Sequence, residues 1–202
     1  MRIRSERIIP GGAFMISIGK TAVFIGLLAL VGPAATAQNA FPYKDQEMVK
    51  AFEKRANEYA AQRSQIESRL PKLSKSASIE EIATHKLTLQ NAIQKARASN
   101  KAGEIFTPES ATLIRKMIKN EFKGWEGSEI RTTVLEAETK GVPVKINVPY
   151  PESAELVEMS PTLLLSLPQL PKPLRYRFVG RNLVIMDRDN ALIIDYMTSA
   201  LP

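Results

Sequence analysis

Between Arg175 and Tyr196 the chain runs through three short segments separated by turn residues, a pattern that restricts this end of the protein to an antiparallel β meander. Tyr176 and Phe178 face one way and Arg175 and Arg177 the other; Gly180 to Asn182 turns the chain and Leu183 to Met186 returns. Asp187, Arg188, Asp189 and Asn190 make a second turn, and Ala191 to Tyr196 reads as a third strand. Val142, Val144, Ile146 and Val148 alternate with polar residues and proline, which predicts a fourth strand over Val142–Val148. Pro143 and Pro149 cannot donate to a ladder, so that strand belongs at an edge. Such a sheet needs helices over its apolar face.

The helices are legible upstream. Met48, Phe52, Ala56, Tyr59, Ile66 and Leu70 fall on one stripe at 100° per residue, with Arg63 in its middle, and Pro71 closes the segment. Ser78 followed by Glu81 is a capping box, and Ile82, His85, Leu89, Ala92, Ile93 and Ala96 form the second stripe. Laid antiparallel, the two stripes match in one register that sets Ile66 by Ile82, Arg63 by His85 and Tyr59 by Leu89. The expectation is a helical hairpin over residues 38–104. A third helix opens at Thr107 and Pro108, with Glu109 in its positive first turn and Ala111, Ile114, Met117, Ile118 and Phe122 on its apolar face. Gly124 and Gly127, flanking Trp125, end it. Residues 128–140 lean to a short helix over a strand; Ser160 and Pro161 cap one apolar turn, and Pro168, Pro171 and Pro173 stiffen the connector that follows. The fold class is α+β, with residues 105–202 as an α+β domain ending in a meander of three to four strands.

Composition narrows the chemistry. The 202 residues hold no Cys and one His, so thiolate catalysis, disulfides, zinc-thiolate sites and multi-histidine metal sites are excluded. Residues 1–37 read as a secretory signal: Arg2, Arg4, Arg7 and Lys20 precede the apolar run Thr21 to Gly32, and Ala35-Thr36-Ala37 predicts cleavage between Ala37 and Gln38. The reading leaves open whether Met1 or Met15 is the true start, because Met15 to Lys20 is by itself a sufficient basic region. About a dozen apolar residues fall short of the roughly 20 needed to span a bilayer, so no permanent span is expected after cleavage. Cleavage leaves 165 residues and takes the formal charge from +7 to +4 by removing four basic residues and one acidic. A chain of that length can bury a sufficient core without covalent staples. Export takes it away from nucleic acid.

Few side chains suggest a site. His85 could act as a base, but with no Ser or Asp constellation nearby it reads as a polar seam residue that fixes register. Arg115, Lys116, Lys119 and Lys123 line the polar face of the third helix and could contact an anionic surface such as lipid headgroups or an acidic polymer, although a solvated face accounts for them. Asp187, Asp189 and Asp195 could offer oxygens to calcium, yet the spacing lacks the glycine and closing glutamate of an EF-hand loop, and turn chemistry explains them. No Gly-x-Ser-x-Gly elbow is present. No catalytic, cofactor or metal residue is assigned.

Tyr176-Arg177-Phe178-Val179-Gly180-Arg181, with Leu183, Asp187, Ala191-Leu192-Ile193 and Asp195, resembles the end of a group of exported bacterial proteins that share no agreed activity. Phe106-Thr107-Pro108-Glu109 and Pro149-Tyr150-Pro151-Glu152 fit the same group, so the resemblance covers residues 106–202. The hairpin is also similar to one ending small periplasmic proteins tied to nickel and cobalt homeostasis, whose His-rich character this chain lacks. The functional expectation is a periplasmic or secreted, non-enzymatic accessory or interaction protein of the bacterial envelope. Its partner would be an envelope protein or an anionic envelope polymer, and no cofactor is implied. The alternative is a small envelope enzyme working through carboxylates.

Overall fold

Local capping signals set where the helices begin. The structure, a computed structural model, describes residues 43–123, 132, 134–136, 141–156 and 158–201. Helix α1 spans Tyr43–Glu67. The chain leaves the helix four residues before Pro71, through tight turns in which Arg69 N–H donates to Ile66 O and Leu70 N–H to Glu67 O; a residue preceding proline disfavours helical backbone. Helix α2, Ile79–Ala96, opens on the expected capping box: Glu81 N–H donates to Ser78 Oγ at 3.2 Å and Ser78 N–H to Glu81 Oε2 at 2.7 Å. Helix α3, Pro108–Glu121, is capped by the Thr107 hydroxyl, and the short helix α4, Pro161–Ser166, by Ser160. Residues 132 and 134–136 are helical, in line with the lean for that stretch. The segment read as a secretory signal, and Gly124, Trp125 and Gly127, lie outside the described residues.

Strands β1 (Leu174–Val179), β2 (Asn182–Asp187) and β3 (Ile193–Met197) form one antiparallel sheet in the order β1-β2-β3. The β1–β2 connection is two residues long, and Gly180 takes the left-handed backbone (φ 56°) that such a turn needs. The fourth strand expected over Val142–Val148 does not form. The chain turns at Ile146 and Asn147, where Asn147 is left-handed (φ 58°), and only the isolated bridge Pro149–Leu192 joins it to the meander. The bridge rests on Ile193 N–H to Val148 O at 3.1 Å and Tyr150 N–H to Ala191 O at 2.9 Å, and one further bond, Asn147 N–H to Ile193 O at 2.8 Å, stops short of a ladder. Pro143 and Pro149 lack the donors a ladder would use, and the left-handed Asn147 breaks the extended run between them.

The pairs Tyr176–Ile185 and Phe178–Leu183 share one face of the sheet, while Arg175–Met186 and Arg177–Val184 share the other. The first face packs into the main core with Phe52 and Tyr59 of α1, Leu89 and Ile93 of α2, Ile114 and Ile118 of α3 and Leu163 of α4. The second carries a smaller cluster, Tyr150, Val184, Met186 and Ile193, covered by Val142, Val144 and Leu156. Residues 40–202 make one compact unit. Ile82, expected in the helical seam, is 39% exposed, so the α2 stripe is fully buried only at Leu89 and Ile93.

Candidate functional site: an arginine-lined cleft

Two buried charge clusters fasten the helices to the meander, and one of them borders a cleft. At the end of β2, Asp187 is wholly buried; it accepts a hydrogen bond from Tyr59 Oη at 2.7 Å and from Arg63 Nε at 2.8 Å. The Arg63 guanidinium also donates to Glu67 at 2.7 Å and to Asp189 in the following turn. The Arg63 guanidinium, read from the sequence as a polar member of the helical seam, is thus directed to carboxylates of the sheet and its turn; His85 is half-buried and makes none of these bonds. Burial is the largest influence on Arg63 and acts to lower its pKa, but the carboxylates around it, Asp187 first, carry the balance upward. The cluster sets the geometry of the turn from which Arg188 emerges.

The second cluster involves Asp195 and Arg97, for which spacing offered no signal. Asp195, wholly buried on β3, accepts the backbone N–H groups of Gly103 at 2.7 Å, Ile105 at 2.6 Å and Phe106 at 2.8 Å, and so shapes the loop that enters α3. Arg97 donates to Ile194 O at 3.0 Å and to Asn147 Oδ1 at 3.2 Å, and its guanidinium lies 5.2 Å from the centre of the Tyr59 ring. Asn147 in return donates to Arg97 O, which holds the left-handed turn against the end of α2.

Both aspartates are thus committed to donors inside the fold, an arrangement suited to holding structure. Among the described residues no group of three or more His, Asp or Glu side chains is placed to hold a metal ion. The Tyr59 phenol keeps its proton far above the ordinary range, through burial first, then the charge of Asp187 and the bond donated to it. Tyr176 is shifted the same way by burial, then by Glu53. Unfolded tyrosines deprotonate near pH 10. Because the folded values lie higher, stability is full below about pH 10 and falls as pH rises beyond it. The urea midpoint is expected to drop between about pH 9.5 and 11.5, and to drop less steeply for Tyr59→Phe; a wild-type midpoint constant over that range would contradict the assignment.

The cleft opens beside this anchor. It encloses about 430 Å³ and is lined by Arg175 and Arg177 of β1 and Arg188 of the β2–β3 turn, together with Met159, Leu164 and Leu170. Among the described residues Glu158 is the one carboxylate in the lining. Residues two apart on a strand share a face, which brings Arg175 and Arg177 together; Arg188 joins because its Nε is held on Leu174 O at 2.9 Å. Arg177 donates from Nη1 to Tyr176 O at 2.9 Å, and Arg175 rests Nη2 on Met186 Sδ at 3.8 Å. The Nε atoms of Arg175 and Arg177 are buried without a hydrogen-bond acceptor. Among the described residues none of the three arginines forms an ion pair. Burial, and after it repulsion from Arg188, lowers the pKa of Arg175; burial, and after it Arg175, lowers that of Arg177. Three guanidinium groups thus line one cleft, and guanidinium is the side-chain group suited to meeting carboxylate or phosphate oxygens in a planar, forked geometry.

The basic face of α3 is a weaker candidate. Arg115 is turned onto the C-terminal carbonyls, donating to Thr198 O at 3.0 Å and Ser199 O at 3.3 Å, and Lys116 lies 3.6 Å from Asp45. Lys119 and Lys123 are exposed. The alternation on β1 already places Arg175 and Arg177 on one face, but nothing local to the sequence brings Arg188 to them.

Comparison with protein-family models, with curated proteins and with solved structures finds no match for this chain.

Proposed function

We propose that the protein is an exported, non-enzymatic interaction protein of the bacterial envelope whose working surface is the arginine cleft, where it takes an anionic group from its partner. The observation that carries this reading is that Arg175, Arg177 and Arg188 line one cleft and that, among the described residues, none of them forms an ion pair. An entering oxyanion would offset the mutual repulsion of the three cations through charge-assisted hydrogen bonds. The volume lies within the range of small-ligand sites. Export is supported by the basic and apolar residues before Gln38 and by Ala35-Thr36-Ala37. Among the described residues no helix is long and apolar enough to cross a membrane. The commitment of Asp187 and Asp195 to structural donors favours binding over carboxylate catalysis.

Inorganic phosphate tests the reading. Thermal unfolding is expected to shift upward as phosphate is added, since a ligand that binds only the folded state stabilises it by mass action. The Arg175→Gln/Arg177→Gln variant should lose that shift while His85→Leu retains it. Equal shifts in the wild type and the arginine variant would mean that phosphate acts elsewhere, and the cleft would lose its assignment.

A further inference from the structure

The lip of the cleft carries an apolar feature that anion capture alone does not use. Helix α4 is anchored by Leu163, which is 2% exposed, yet the next two residues turn outward: Leu164 is 42% exposed and Leu165 87%. Leu164 also lines the cleft with the three arginines. Exposed Lys172 lies on the proline-stiffened connector between α4 and β1, adding positive charge. A single exposed leucine is ordinary on a protein surface. One that lines a cleft of three arginines, followed in the chain by a second that is almost wholly exposed, matches a ligand that is anionic at one end and hydrocarbon at the other.

Building on the anion reading above, we propose that the group entering the cleft is a lipid phosphate, and that α4 docks the protein on an anionic bilayer surface. Arg175, Arg177 and Arg188 take the phosphate oxygens while Leu164 and Leu165 enter the boundary between headgroups and acyl chains. Interfacial binding of this kind sums buried apolar area and attraction to anionic lipid, and neither contribution alone gives a stable hold. Charge complementarity selects this occupant over a second copy of the chain, whose own arginine cluster would be repelled. A free phosphate would leave the two leucines without a role.

The test uses the chain beginning at Gln38, which retains the whole described core, and two probes. Vesicles of phosphatidylglycerol mixed with phosphatidylcholine, against phosphatidylcholine alone, report docking by co-sedimentation; inorganic phosphate reports occupancy of the cleft by thermal shift. Wild-type protein is expected on the anionic vesicles and not on the neutral ones, with binding weakened as salt is raised. Leu165→Ser, outside the cleft lining, should reduce vesicle binding several-fold and leave the phosphate shift unchanged, while Arg175→Gln/Arg177→Gln should lose both. Circular dichroism equal to wild type checks that each variant is folded. A phosphate shift without vesicle binding, or vesicle binding indifferent to Leu165→Ser, overturns the lipid surface and leaves the cleft as a receptor for a soluble anion. Sedimentation showing a dimer that the leucine variant dissolves overturns it as well. Absence of both signals overturns the lipid proposal together with the anion reading beneath it.

Discussion

Asp187→Ala is expected to destabilise the protein by about 3–5 kcal/mol, the usual cost of removing one partner from a buried ion pair. The carboxylate is wholly buried and accepts from both Tyr59 and Arg63, whose side chain is only 7% exposed. Without it the guanidinium keeps Glu67 and Asp189 but loses its one fully buried counter-charge, and the Tyr59 hydroxyl is left facing a void. For a chain of this length the loss corresponds to a fall in Tm of roughly 10 °C. Because Asp187 also sets the turn that presents Arg188, the phosphate-induced shift should weaken in any Asp187→Ala protein that remains folded. Arg63→Met together with Asp187→Leu should be far milder than either change alone, since two apolar side chains bury no charge. A drop below about 1 kcal/mol in Asp187→Ala would show that the pair contributes little and that the helices hold the meander by apolar packing alone.

The second large effect is expected at Asp195. Its two oxygens receive four backbone N–H groups, Gly103 and Tyr196 on Oδ1 and Ile105 and Phe106 on Oδ2. Asp195→Ala leaves the buried donors of Ile105 and Phe106 unpaired, at about 1–3 kcal/mol each. The isosteric Asp195→Asn is nearly as damaging, because an amide offers one acceptor and turns its NH₂ toward the other pair of donors, whichever way it is flipped. The measurement is urea unfolding with amide hydrogen exchange at Ile105 and Phe106, where protection should collapse before that of β2. Full stability in Asp195→Asn would show that the loop into α3 holds itself. Phe106 packs at 5.5 Å from the Phe52 ring, so loosening this loop also loosens the contact between α1 and the start of α3.

Elements whose causes lie within a few residues are legible in the amino-acid sequence. Ser78 with Glu81, Thr107 with Pro108, and Ser160 with Pro161 each satisfy orphan donors at their own helix terminus, so the signal and its partner sit side by side in the chain. Gly180 marks the hairpin for the same reason, and alternation along β1 and β2 sorts Tyr176 and Phe178 from Arg175 and Arg177. Val142–Val148 misleads because alternation reports only that one face is half-buried; it does not report whether a neighbouring strand will meet the available donors.

The charged interior belongs to tertiary structure. Arg63 and Asp187 are 124 residues apart, and Asp195 reaches back 89 to 92 residues for its donors. No local periodicity distinguishes an aspartate that will be sealed beneath a helix from one that caps a solvent turn, because a short polar side chain in a turn satisfies both patterns. Arg63 is a polar interruption in a helical seam until the sheet supplies its carboxylate. The cleft divides the same way: by itself the sequence determined that Arg175 and Arg177 share a face, since side chains alternate along any strand. Only the packed fold decided that Arg188 joins them and that their Nε atoms lose access to water, because desolvation is a property of what surrounds a group and not of its place in the chain.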